Sequence, residues 1–191
     1  MNFEYLAAYI STFAYLFPPF RQYRGKYFLF FLILALGNPI TLLIVFSIHL
    51  DPKRIVCLIA WSMLLALVRF GSSKRLFIIK VSFSLFLLVG IFLIPVDFVQ
   101  LISITIDYLI LVYFLKEAII YYKDSSSIHS GFVVLILYSM GLIFKLYLAI
   151  SSLQLGHIYY YIMDLFEIIV AIFFTIYKVE NSPKFKLQNI D

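Results

Sequence analysis

Residues 27–36 read YFLFFLILAL, and residues 133–137 read VVLIL. Neither run alternates between polar and apolar positions, as the strands of a membrane β-barrel must, so both are read as helices in apolar surroundings. A helix that crosses roughly 30 Å of hydrocarbon at 1.5 Å per residue needs about 20 mainly apolar residues. Seven stretches qualify on either side of these runs: 3–17, 27–50, 54–70, 76–95, 98–121, 131–153 and 157–178.

Composition points the same way. Of the 191 residues, 64% are hydrophobic and only 13% charged, about half the charge with which a soluble domain covers its surface. The mean hydropathy is +1.03. Disorder and a disulfide-built scaffold are excluded by the apolar bulk and the single Cys57. The expected fold is all-α: a polytopic transmembrane helical bundle of seven spans, or six if residues 3–17 rest on the surface. That first stretch is short, contains Glu4, Ser11 and Thr12, and stops at Pro18-Pro19. It also lacks the positive start of a signal peptide, with no Lys or Arg before Arg21.

Charge sets the orientation. With the N-terminus outside and the C-terminus inside, the inner side receives Arg21, Arg24, Lys26, Arg69, Lys74, Arg75, Lys80, Lys123, Lys178, Lys184 and Lys186. The outer side receives Lys53 and Arg54 alone. This positive-inside bias predicts an integral protein of the cell's inner (plasma) membrane, its basic face on an anionic leaflet. Residues 1–180 are read as one transmembrane domain and 181–191 as a short cytoplasmic tail. The longest inner loop, 124–130, reads as polar and flexible. No segment outside the bilayer is large enough for a kinase, nucleotidase or nucleic-acid reader. The expected partners are therefore the lipid bilayer, a small solute or proton, and, in the alternative below, a partner membrane protein; nucleic acid is excluded.

Nucleotide-loop, zinc-protease and serine-hydrolase motifs are missing, and no cofactor is implied. His49 and His157 both fall at outer helix ends, but two ligands do not make a metal site. The informative residues are ionisable groups at bilayer depth, which are costly there and mark function. Asp107, Lys145, Asp164 and Glu167 come from the last three spans and lie within one or two helical turns of a common depth. Asp164 and Glu167 share a face with Tyr160 and Tyr161. Gln100 and Ser103 precede Asp107 on its face, while Gly131, Tyr138, Lys145 and Ser152 recur every seventh residue. Fully ionised, three acids against one amine leave two negative charges uncompensated, so a proton or a cation is expected to complete the site. The alternative is that Lys145 bonds Asp107 or Asp164 only to lock helix packing. Asn38, in Gly37-Asn38-Pro39, marks a binding residue or gate beside a helix-weakening proline, or equally a bent packing helix.

Spans one to three can be laid over five to seven, with Tyr23-Arg24 meeting Tyr122-Lys123 and Gly37 near Gly141. This three-plus-one-plus-three plan, with Pro18-Pro19-Phe20-Arg21-Gln22 at the inner end of the first span, resembles the sugar-transporting SWEET and PQ-loop families. The departures are that Pro is not followed by Gln, and that Lys116-Glu117-Ala118-Ile119-Ile120 has no Pro. The plan also looks like a retinal protein, but Lys178 lies at the end of the last span rather than midway.

The expected function is binding or transport of a small polar or cationic solute, with proton coupling, at Asp107, Lys145, Asp164 and Glu167, flanked by Asn38, Tyr138, Tyr160 and Tyr161. The alternative is a non-transporting subunit, a sensor or assembly factor acting through a partner protein. A membrane-embedded enzyme ranks third, because no second motif identifies a substrate.

Overall fold

The computed structural model describes residues 3–68, 84, 86–151 and 156–186; among these, the side chains of 3–8, 149, 151, 156–158, 160 and 186 are not described. Helix dominates, as the apolar runs require. Among the described residues, the helices with defined ends are α1 (Phe3–Ala14), α2 (Pro18–Gln22), α3 (Phe28–Ile48), α4 (Pro52–Leu67), α5 (Val96–Ser125), α6 (Ser130–Ser151) and α7 (Gly156–Ile176). Residues 86–93 are also helical. Among the described residues, three helices are long and apolar enough to cross a membrane: Phe28–Ile48, Val96–Ser125 and Ser130–Leu148. Residues 76–83 and 85 of the expected fourth span, Lys80 among them, lie outside the described residues, with Arg69, Lys74, Arg75, Ser152 and residues 187–191 of the tail.

Local chemistry sets the ends. His49 closes α3 in the left-handed conformation (φ 53°), its N–H donating to the Val45 carbonyl. Asp51 then caps α4 by accepting from the Lys53 N–H at 2.8 Å, with Pro52 in the first turn. Arg54 donates to the carbonyls of Ile91 and Ile94, satisfying the end of the helical segment before α5. Pro39 does not interrupt α3, which runs unbroken through it.

The first expected span is shorter than its sequence implies. α1 holds 12 residues, about 18 Å of helix. The chain turns at 15–17, and Pro18-Pro19 opens α2 instead of merely ending α1. α1 and α2 both pack on α7. Ser11 meets Glu167, and Gln22 meets the carbonyls of Phe174 and Tyr177, so residues 11–22 run parallel to α7.

α3 packs on α4, α4 on α5, α5 on α6 and α6 on α7, while α1 completes the ring against α7 and α3. Where α7 finishes, the middle of this ring is filled by aromatic rings. Phe30 and Phe114 are 5.4 Å apart, Phe31 and Phe174 4.8 Å, and Tyr27 lies 6.1 Å from both Phe114 and Phe132. All six are at most 1% exposed.

Beyond this plug the expected flexible loop is ordered. Ser127–His129 forms β1, antiparallel to β2 (Lys184–Lys186), with His129 opposite Lys184. The tail can pair there because Gly131 lies against it. The Gly131 N–H donates to Ser182 Oγ at 2.8 Å, and a Cβ at this position would come within 2.9 Å of both Ser182 Oγ and the Val179 carbonyl. Gln22, fully buried, donates to the Phe174 carbonyl at 3.2 Å and the Tyr177 carbonyl at 2.8 Å, capping α7. Glu117 pairs with Lys26, whose backbone N–H donates to Glu180.

Candidate functional site

α5 buries one stripe, formed by Val99, Gln100, Ser103, Ile106, Asp107, Ile110 and Phe114. Asp107 therefore points inward because its whole stripe does. It is 4% exposed, and its Oδ1 has no hydrogen-bond partner among the described residues. An isolated buried carboxylate of this kind is destabilising by several kcal/mol unless a proton or a counter-charge neutralises it.

α6 and α7 supply the amine and the other two acids. Lys145 Nζ lies 3.1 Å from Glu167 Oε1 and 3.6 Å from Asp164 Oδ1. The two helices approach closely at Gly141, where an added Cβ would lie 3.0 Å from Met163 Cε and 3.4 Å from the Phe166 ring. Ser11 of α1 donates to the other oxygen of Glu167 at 3.0 Å. Glu167 is thus held on both oxygens, while Asp107 keeps one oxygen without a partner.

A cavity of about 350 Å³ joins these groups in the middle of the bundle. Asp107, Tyr138, Lys145 and Glu167 line it from α5, α6 and α7, and Tyr15 lines it from the turn after α1. The rest of the lining is mainly aliphatic: Leu34 of α3 and Val56, Ile59, Ala60 and Met63 of α4, with Leu142 and Leu146 from α6. Gly37 belongs to the same lining because α4 presses on it; a Cβ there would meet Ile59 Cγ2 at 3.2 Å. Asn38 and Thr41 add polar groups, and Asn38 Nδ2 donates to Thr12 Oγ1 at 3.3 Å. Of the lining residues, Asn38 and Val56 are exposed and stand at the open side. On α3, α5, α6 and α7 the aromatic plug lies about one to two turns from the cavity residues, toward the α7 terminus.

Five of the eight residues singled out by sequence line this cavity: Asn38, Asp107, Tyr138, Lys145 and Glu167. Asp164 lies one step behind, joined to it through Lys145. Tyr161 is 39% exposed and does not line it. Tyr160 sits on α7, with its side chain outside the described residues.

Sequence reasoning missed Ser11, Tyr15 and Thr41. Ser11 had been counted only as a weakness of the first span, although the rule applied to Asp107, a polar group inside an apolar helix, applies to it equally. Among the described residues, no three His, Cys, Asp or Glu side chains group as a metal site. His49 is exposed at the end of α3, and the His157 side chain is outside the described set. The arrangement can neutralise a positive charge at Asp107 and surround an apolar body with its aliphatic lining residues. Compared with protein-family models, curated proteins and solved structures, the chain matches none.

Proposed function

We propose that the chain is a seven-span protein of the cell's inner (plasma) membrane, N-terminus outside and C-terminus inside, that binds and passes a small polar or cationic solute through the central cavity with proton coupling. The run of residues 11–22 parallel to α7 supports counting the first stretch, α1 with α2, as a span. The grouping of Arg21, Lys26, Lys178 and Lys184 at one end of the bundle, with Lys53 and Arg54 at the other, supports the orientation.

The observation that carries the reading is Asp107: a buried carboxylate, one oxygen without a protein partner, facing a cavity large enough for a ligand. A group kept for packing alone would be paired, as Asp164 and Glu167 are through Lys145. In the proposed cycle a cation or proton occupies Asp107, while Lys145 offsets one of the two acids of α7 that share it. Reconstitution in liposomes tests this. Wild-type protein is expected to carry a cation or proton down an imposed gradient, and Asp107→Asn, nearly identical in shape, to reduce flux at least tenfold with unchanged incorporation. Equal flux in the two proteins would refute the role of Asp107.

A further inference from the structure

We infer that the ligand of this cavity is a monovalent organic ammonium carrying a small apolar body, rather than an inorganic cation or a neutral polyol. The inference rests on the proposed function and narrows it to a substrate class.

The polar and the apolar lining residues of the cavity have different chemistry, and a ligand must satisfy both. Among the polar ones Asp107 offers an oxygen that no described residue occupies, whereas the Glu167 carboxylate is engaged by Lys145 and Ser11. Of the three acids, Asp107 is therefore the one whose hydrogen bonding leaves room for a positively charged group. The rings of Tyr15 and Tyr138, with centroids 6.0 Å apart, line the same cavity. Aromatic faces attract ammonium groups, most strongly when these are desolvated.

Elsewhere in the lining Ile59 and Met63 of α4 present only aliphatic or thioether surface. A bare alkali ion at Asp107 would leave most of the roughly 350 Å³, about a dozen water volumes, bounded by groups that cannot hydrogen-bond. A sugar-like polyol would bury hydroxyls against that surface at a cost for each one unpaired. An alkyl chain attached to the ammonium removes this apolar surface from water instead. The charge belongs at Asp107 and the alkyl body against α4.

The experiment measures binding to purified protein in nanodiscs by isothermal titration. The probes are butylammonium and butyltrimethylammonium, set against butanol, butyrate, sodium and potassium. Wild-type protein is expected to bind both ammonium probes saturably and at least tenfold more tightly than butanol, butyrate or either metal ion. Asp107→Asn is expected to lose that tenfold preference for charge. Ile59→Trp, which fills the apolar part of the cavity while leaving Asp107 in place, is expected to weaken the ammonium probes without improving the metal ions. Size-exclusion profiles and thermal midpoints establish that each variant is folded.

Binding of sodium or potassium as tight as that of the ammonium probes, and lost in Asp107→Asn, overturns this inference while leaving the cation-binding function standing. Binding of butanol equal to butylammonium overturns it as well. If no probe binds and the liposomes carry neither cations nor protons, the proposed function itself has failed.

Discussion

Lys145 connects the two acids of α7 to α6, and its partners define what its loss would do. Replacing it with Met leaves Asp164 and Glu167, with side chains 14% and 10% exposed, facing each other without a counter-charge. Because the lysine side chain is itself 32% exposed, part of its effect is screened, and a loss of about 1–3 kcal/mol is expected. The double replacement Lys145→Met with Glu167→Met should recover much of this, since the remaining acid no longer has a like-charged neighbour. Thermal unfolding in detergent measures both. An unchanged midpoint for the single variant would mean that the ion pairs contribute nothing to holding α6 on α7. This triad was legible in the sequence because three positions on neighbouring helices shared a depth and a face. Which acid would be left over was not legible: it depends on the rotation of α5, which sets Asp107 against the cavity rather than against Lys145.

At the scale of elements, the pairing of β1 with β2 was the least legible feature. Residues 124–130 carry the serines and aspartate of a flexible loop, and a three-residue strand has no period to detect. The pairing depends on tertiary contacts, namely Gly131 against Ser182 and the Ser130 N–H donating to the Pro183 carbonyl at 2.8 Å. This latch has a built-in pH dependence. His129 is buried beside the Tyr121 ring, 5.4 Å away, and opposite Lys184. Burial, and then the Lys184 charge, hold its imidazole below the ordinary value of 6.5. The closed latch thus binds fewer protons than the open one, so its stability is full above pH 6.5 and declines as pH falls through the lowered value. Amide exchange at Phe185, corrected for intrinsic rates, should be more protected at pH 8 than at pH 5. His129→Gln should flatten that difference. A pH-independent exchange rate in the native protein would dispose of the idea. The ends of α3 and α4 were easier to anticipate, since Asp51-Pro52 is a local start signal that needs no partner.

For the whole molecule, helical content and apolar spans followed directly from runs such as 27–36, whereas the closing of the ring did not. The sequence weighed residues 3–17 as the weakest span, because hydropathy averages over Ser11 and Thr12 instead of asking what they bond. In the folded chain those residues tie α1 to α7 and α3, and Tyr15 completes the cavity. The aromatic plug then gives the molecule a direction, open near Asn38 and Val56 and closed toward the end of α7. With Cys57 replaced by Ser, a cysteine at Thr41 should react with a membrane-impermeant thiol reagent supplied from the Lys53 side and resist it from the Lys178 side. Equal labelling from both sides would show that the plug does not seal.

The bond between Ser11 and Glu167 links residues 156 positions apart. A ribosome adding about 5–20 residues each second needs roughly eight to thirty seconds to bridge that interval. Throughout this time the earliest helix is without its eventual neighbour, the Ser11 hydroxyl unmatched by Glu167. A nascent chain halted before residue 167 would be left in that condition permanently, offering quality-control proteases a feature by which to tell it from the finished product.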